Sequence, residues 1–129
     1  APHLLSEKLK NVTFGIPGVE SSLLLMLDAV SKKKLTLSKM IELMSKNQSK
    51  IFGIKDRGEI KEGFYGDFVV VDLKEKFILD NKTTISKCKW TPFNGYTGYG
   101  KIDTTIVNGK IVYNKNQIIE NTGSEIKYE

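Results

Sequence analysis

The sequence is poor in the residues that most often carry catalysis or bind metals. Its 129 residues include one histidine, His3, and one cysteine, Cys88. A zinc site takes three or four nitrogen, sulfur or carboxylate ligands, and a histidine-dependent serine nucleophile needs a nucleophile elbow. Neither can be assembled from this histidine and cysteine, so we find no complete active site of these kinds. We therefore assign no catalytic residue and no metal ligand within the chain.

The scarcity of cysteine and of long apolar runs also bears on location. A single cysteine excludes an internal disulfide framework and favours a reducing compartment, so we expect a cytoplasmic protein. The longest apolar run, LLLML at residues 23–27, is far shorter than the ~18 residues that span a bilayer. The sequence thus predicts no membrane partner.

Arginine is nearly absent although the chain is basic. Lysine and arginine together number 20 against 15 acidic residues, giving a net charge of +5, and Arg57 is the one arginine. Reading of bases and bidentate binding of phosphates favour arginine's planar fork. The lysines are scattered, and the densest run, KKK at 32–34, is typical of a solvated turn between helices. We therefore expect no nucleic-acid partner.

Two segments predict helices within an otherwise ordinary globular composition. The first begins at Ser21 or Ser22 as the N-cap and is apolar on nearly every side, so it must be buried on more than one face. The second follows Thr36, a natural N-cap, and Gly53 closes the region. Apolar residues recur there at helical spacing and predict a core-facing stripe: Leu37, Met40, Ile41 and Met44.

After Gly58 the pattern changes from helix to strand. A β-branched run at residues 68–73, bounded by Gly63 and Gly66, predicts a buried strand. The stretch KFILD at 76–80 predicts a second, short strand. Helices followed by strands indicate an α+β arrangement or parts of two structural units.

A hairpin and two irregular stretches complete the chain. Asn108-Gly109 supplies the two positive-φ positions of a type I′ turn between strands at 104–107 and 110–113. The glycine-rich GYTGYG at 95–100 is not followed by the helix pattern with a GK[ST] that a phosphate loop requires, so we interpret it as a turn before the hairpin. The polar tail, TGSEIKYE at 122–129, is expected to fray.

One loop has the features of a ligand site. In FGIPGVE at 14–20, Gly15 and Gly18 flank Pro17 and would let the backbone approach a ligand closely. A purely structural turn explains the same residues. The carboxylates of Glu20, Asp67 and Asp72 show no partner at a recognisable spacing, so they give no acid–base pair.

Read together, these stretches resemble the dihydroorotases, cyclic-amide hydrolases of the metal-dependent amidohydrolase superfamily. The stretches APH, SEK and FGIPGVESSLLLML stand in the family's order and near its spacing. Further on, KIFGI, GEIKEGFYGDFVVVD, WTPFNG and TTIVNGKIVY match its ending. The resemblance covers residues 1–113, and APH separates this family from hydantoinases and allantoinases. Gln48 and Gly66 depart from the family's pattern.

The resemblance implies an α/β fold, namely the C-terminal closing part of a (β/α)8 barrel followed by the C-terminal strands of a small β-sandwich. Residues 1–52 would form the end of the barrel, including the substrate loop and closing helices. Residues 53–58 would be a linker, and residues 59–129 would belong to the sandwich. In a family barrel the active site lies at the C-terminal ends of the strands.

It also implies a function that this segment carries only in part. The family's activity is the reversible, zinc-dependent hydrolysis of (S)-dihydroorotate to N-carbamoyl-L-aspartate in pyrimidine biosynthesis. His3 matches the histidine that binds the substrate carboxylate, and Phe14 and Gly15 match loop positions whose backbone meets the ring's amide edge. The family's metal ligands and catalytic aspartate would lie upstream. We thus expect a C-terminal fragment that is inactive alone.

The implied partners are the substrate or its product, the N-terminal remainder of the same enzyme, and a homo-oligomer or a carbamoyltransferase complex. Two alternatives stay open. A catalytically dead dihydroorotase-like scaffold subunit would share this C-terminus. An autonomous β-rich binding module, for polyanions given the charge, is the other.

Overall fold

The computed structural model describes residues 15–119 and 123–128, with helices first and strands afterwards. Helix α1 spans Val19–Ser31. Helix α2 spans Leu37–Ile41 and continues through a π-helical segment, Glu42–Lys46, into α3, Asn47–Ile51. Within the described residues, none of the helices combines the length and apolarity required to span a membrane.

Helix α1 begins earlier than the sequence predicts, and the prediction that Ser21 or Ser22 caps it is wrong. Gly18 is the N-cap residue. Its carbonyl accepts the N–H of Ser21 at 3.2 Å and of Ser22 at 3.0 Å, and both hydroxyls donate to the same oxygen at 3.2 and 2.6 Å. The serines therefore lie within the first turn, where they bond the preceding carbonyl instead of the free N–H groups that a cap satisfies.

The start of α2 is the one that the sequence predicts. The Thr36 hydroxyl accepts the N–H of Lys39 at 3.1 Å, which confirms Thr36 as the N-cap, and Gly53 follows the helical region with a φ of 59°. The predicted core-facing stripe is only partly buried. Met40 is buried, whereas the other three residues of the stripe are exposed in the described structure: Leu37, Ile41 and Met44.

The strands form one antiparallel sheet in the order β1-β2-β3-β4. Strand β1 spans Phe68–Ile78, β2 Thr97–Val107, β3 Lys110–Asn114 and β4 Gln117–Ile118. The pairing of β1 with β2 is irregular between Asp72 and Lys76. The two strands predicted at 68–73 and 76–80 are therefore one long strand.

Strand β1 also differs from its prediction in burial. Phe68, Val69 and Val70 are 38–50% exposed, so the expected buried strand is wrong for the described residues. The apolar run is correct as a strand, because β-branched residues suit the extended backbone.

The predicted hairpin is confirmed. Asn108 and Gly109 have φ of 52° and 77°, and Val107 pairs with Lys110 across the turn. The tail is not free over residues 123–128: Lys55 donates its N–H to the Lys127 carbonyl at 2.9 Å. Residues 123–128 are exposed, and the fraying of this tail stays a prediction.

Among the described residues, a small apolar core lies where α1 packs on the sheet. Helix α1 packs on β2, where a Cβ at Gly100 would lie 2.5 Å from the Cβ of Leu27, and one at Gly98 2.8 Å from the Asp28 carboxyl carbon. The motif GYTGYG is thus mainly strand, and its interpretation as a turn holds only for its first part, at Gly95. The buried apolar side chains among the described residues are Leu27, Met40, Cys88 and Trp90.

Candidate functional site

Of the three residues predicted to contact a substrate, the structure describes one. His3 and Phe14 lie outside the described residues. Gly15 is exposed, has a φ of +84°, and has no atom within 4 Å of the place where a Cβ would stand. Its backbone is therefore open to a ligand, in a left-handed conformation that favours glycine.

Residues 15–18, here called the loop, lead directly into α1. Gly18 ends the loop and its carbonyl receives four hydrogen bonds from Ser21 and Ser22. At this end of the helix Ile16 is 58% and Val19 94% exposed, whereas Ser21 is buried. The direction of the loop therefore follows the orientation of the first helical turn.

Glu20 fastens that first turn to a distant part of the chain. Its Oε1 accepts the N–H of Ile85 at 2.9 Å, and its Oε2 accepts the N–H of Ser86 at 2.9 Å and the Ser86 hydroxyl. Partial burial alone would raise the pKa of the Glu20 carboxyl, but the Ser86 hydroxyl and the two amides outweigh it and lower the pKa. Glu20 is thus held as a carboxylate.

Ile85 and Ser86 belong to the β1–β2 connection, residues 79–96, which is itself cross-linked. The side-chain oxygen of Asn81 accepts the N–H of Thr91 at 2.8 Å, and that of Asn94 accepts the N–H of Asn81 at 2.9 Å. Thr84 donates its hydroxyl to the Asp80 carbonyl at 3.0 Å. Glu20 therefore bonds to a segment that is held in place by its own side-chain hydrogen bonds.

A second carboxylate, Asp28, fastens the other end of α1. It is 2% exposed. It accepts the Tyr96 hydroxyl at 2.6 Å, the Lys32 ammonium at 2.6 Å and the N–H of Tyr99 at 3.0 Å. Burial would raise the pKa of Asp28, but the bonds from Lys32, Tyr96 and Tyr99 lower it. A buried carboxylate with this set of donors anchors structure and is not available as a base.

A groove of about 860 Å³ opens between α1 and the sheet. Pro17, Glu20 and Leu24 line one side, and Phe77, Ile78 and Trp90 are among those on the other. The wall is mainly apolar, and its Glu20 carboxylate is engaged by Ser86. Charged side chains also line the groove, namely Glu75, Lys76, Asp80 and Lys101.

A third cluster involves the one arginine. The Arg57 guanidinium pairs with Asp67, donates to the Asn108 side chain at 2.9 Å, and stacks 4.0 Å from the centre of the Tyr65 ring. Asp67 also accepts the N–H of Asn108 at 2.8 Å. This cluster ties the chain before β1 to the hairpin turn and is structural.

Sequence reasoning missed the partners of these carboxylates. Glu20 and Asp67 looked unpaired, yet Glu20 meets residues 65 and 66 positions away and Asp67 meets Arg57. Asp72 accepts the N–H of Lys74 at 2.7 Å within its own strand. The one sequence signal was the position of Glu20 in the first turn of a helix. A glutamate there is also stabilised by the helix dipole, so its position does not indicate that it has a distant hydrogen-bond partner.

The described residues do not fit a metal centre. Over residues 15–119 and 123–128 no three histidine, cysteine or acidic side chains come together in a way that could hold a metal ion. The carboxylates of Glu20 and Asp28 are already satisfied by protein donors.

Comparison with known proteins places this arrangement in a family. The amidohydrolase family model matches residues 9–112, so the chain belongs to the amidohydrolase family. Among curated proteins, the dihydroorotase of Pyrococcus furiosus is 38% identical over 92% of this chain and 28% of its own length. That of Anoxybacillus flavithermus is 42% identical over 89% of this chain and 28% of its own.

A solved structure supports the fold. The L-hydantoinase (dihydropyrimidinase) from Arthrobacter aurescens is 31% identical, with a TM-score of 0.79, over 82% of this chain and 24% of that one. The chain thus spans under a third of the length of the relatives it matches. The resemblance to dihydroorotases, within the cyclic amidohydrolases, is confirmed.

Proposed function

We propose that this chain is part of a dihydroorotase, which hydrolyses (S)-dihydroorotate reversibly to N-carbamoyl-L-aspartate in pyrimidine biosynthesis. The observation that carries the proposal is its 38% identity to a curated dihydroorotase over 92% of the chain. The activity would belong to the whole polypeptide, because the chain corresponds to 28% of that relative.

Within such an enzyme, residues 1–52 would close the barrel and carry the substrate loop, residues 53–58 would link, and residues 59–129 would be the C-terminal share of the sandwich. Two features of the described residues support this division. The helical region exposes apolar residues, with Ile51 at 71% and Phe52 at 60% exposure. Strand β1 lies at the edge of the sheet with exposed apolar residues. Both surfaces suit contact with the N-terminal remainder of the enzyme.

We assign substrate contact to His3, Phe14 and Gly15. His3 would bind the substrate carboxylate, and the backbone of Phe14 and Gly15 would bond the amide edge of the ring. The open backbone of Gly15 and the support of the loop by Glu20 agree with this role.

The metal, zinc in this proposal, would be held by ligands outside this segment, as would the catalytic aspartate. When bound it would supply Lewis-acid polarisation of the scissile amide. The described residues themselves do not form a site for it. The chain alone should therefore neither bind zinc tightly nor hydrolyse dihydroorotate. We place the enzyme in the cytoplasm, with a homo-oligomer or a carbamoyltransferase complex as its assembly.

Replacement of His3 tests the assignment in the longer, metal-loaded polypeptide. His3→Ala should raise KM for dihydroorotate about 10- to 100-fold, because a charge-assisted hydrogen bond is lost, while zinc content by atomic emission stays unchanged. Lys8→Ala, a charge change in the same segment, is the control and should leave KM unaltered. Loss of zinc from His3→Ala would mean that His3 is a metal ligand.

A second candidate is hydrolysis of hydantoins or dihydropyrimidines. The observation that favours it is the structural match to an L-hydantoinase at 31% identity. The stretch APH at the start of the chain favours dihydroorotate, whose carboxylate hydantoin itself lacks. Comparison of the two substrates in one assay separates these functions.

A further inference from the structure

The attachment of α1 to the rest of the molecule is uneven along its length. At the Asp28 end the helix is anchored by burial, with Leu27 fully buried against Gly100. At the other end Ile16 and Val19 are exposed and the small side chain of Ser21 is buried. Glu20 supplies the bonds from this turn to the β1–β2 connection that the described structure records. Loss of the Glu20 bonds should therefore release the loop end while the Asp28 end stays in place.

The geometry of the Glu20 bonds favours an orienting role. Two carboxylate oxygens receive three donors from adjacent residues, and two of those donors are backbone N–H groups that cannot rotate away. Such a bidentate arrangement fixes both the distance and the direction of the side chain. Since Glu20 is two residues from Gly18, a shift of its carboxylate moves the loop directly.

From these observations we propose that Glu20, held by Ile85 and Ser86, is a positioning residue for substrate binding. It sets the orientation of the loop that would meet the amide edge of the cyclic substrate. The inference rests on the proposed function for the identity of the substrate, but the positioning of the loop can be measured without it. Hydrogen exchange of the Ser21 and Ser22 amides, which bond the Gly18 carbonyl at the end of the loop, gives that measurement.

The test compares substitutions in the longer, metal-loaded polypeptide. Glu20→Gln keeps the shape of the side chain but places an NH₂ donor against an N–H donor. Ser86→Ala removes the hydroxyl and keeps both amides. Glu42→Gln is the matched control, because Glu42 is an exposed helical glutamate paired with Lys39, so the chemical change is the same away from the loop. Asp28→Asn weakens the opposite end of α1.

Glu20→Gln should raise KM for dihydroorotate about tenfold with kcat changed less than about threefold, the pattern of lost uniform binding. Ser86→Ala should raise KM about threefold, because one hydrogen bond of three is lost. Exchange of the Ser21 and Ser22 amides, which bond the Gly18 carbonyl at the end of the loop, should accelerate in Glu20→Gln, while exchange at residues 27–31 should stay unchanged. Glu42→Gln should match the wild type in all three measurements.

Two results would overturn the inference. One is exchange of the Ser21 and Ser22 amides that is the same in Glu20→Gln as in Glu42→Gln. The other is a rise in KM in Asp28→Asn equal to that in Glu20→Gln at equal loss of thermal stability, which would reduce Glu20 to a general stabiliser. Absence of dihydroorotate turnover in the wild type overturns the proposed function instead, and the exchange measurement still decides whether Glu20 positions the loop.

Discussion

At the scale of single residues, two carboxylates connect α1 to the sheet side of the molecule. Glu20 takes its donors from the β1–β2 connection, and Asp28 takes its donors from Lys32, Tyr96 and Tyr99. Hydrogen bonds to a charged group contribute more than neutral ones, about 1.5–3 kcal/mol each. Asp28, which is buried, should therefore contribute more to the response of the fold to acid than Glu20, whose exposed bonds are weakened by solvent.

The free energy of unfolding should fall as the pH is lowered, and Asp28 should account for part of that fall. The pKa values of Asp28 and Glu20 are lowered in the folded protein, so their stabilisation is present above the ordinary carboxyl pKa of about 4 and is lost as pH falls through the lower folded value. In urea unfolding from pH 6 down to pH 2, Asp28→Asn should show a shallower fall of the unfolding free energy than the wild type. An identical fall in both would contradict the assignment.

A methyl group at Gly100 should be destabilising because of its neighbour. Its Cβ would lie 2.5 Å from that of Leu27, and φ is +129°. We expect Gly100→Ala to cost about 1–3 kcal/mol more than Gly63→Ala, whose φ of +83° is also left-handed but whose Cβ would meet nothing within 4 Å. Urea midpoints of the two variants measure the difference. Equal midpoints would show that α1 does not pack on β2 at this distance.

At the scale of elements, Thr36 caps the helical region with one side-chain bond to Lys39. Thr36→Ala should lower the unfolding free energy by about 1 kcal/mol, because the helix loses a partner for a free N–H group. Thr36→Ser keeps the hydroxyl and should lose little. Urea unfolding of the three proteins checks this, and equal stability of Thr36→Ala and the wild type would contradict it.

Elements set by neighbouring residues were predictable from the sequence. The Asn108-Gly109 turn and the Thr36 cap depend on residues within four positions, and both agree with the structure. The start of α1 was misplaced because Ser21 and Ser22 bond the Gly18 carbonyl, a choice that local preference does not decide. The single strand β1 was divided because its pairing irregularity at residues 72–76 resembles a break.

The candidate site was predictable only through family resemblance. Spacing alone left Glu20 without a partner, since its donors lie 65 and 66 positions along the chain. The prediction that β1 is buried was wrong for a similar reason. An apolar run predicts that a strand is packed against other residues, but it does not show which part of a protein those residues belong to. Local sequence patterns do not reveal such contacts between distant parts of the chain.

At the scale of the whole molecule, the described chain leaves much apolar surface open. Exposed apolar residues lie on the helical region and on β1, and few apolar side chains of the described residues are fully buried. The chain spans 28% of the P. furiosus relative, and we propose that the remainder covers these surfaces. The isolated 129-residue chain, supplied with zinc, should thus show no dihydroorotate hydrolysis above a metal-only blank; turnover by it would contradict this division of the enzyme.

The measurement that tests the central claim most directly is turnover of two substrates by the longer, metal-loaded polypeptide that contains this chain. We predict that kcat/KM for (S)-dihydroorotate exceeds that for hydantoin by at least about 100-fold, because a site that bonds the substrate carboxylate discriminates against a ring without it. A preference for hydantoin, or no turnover of dihydroorotate, would contradict the account.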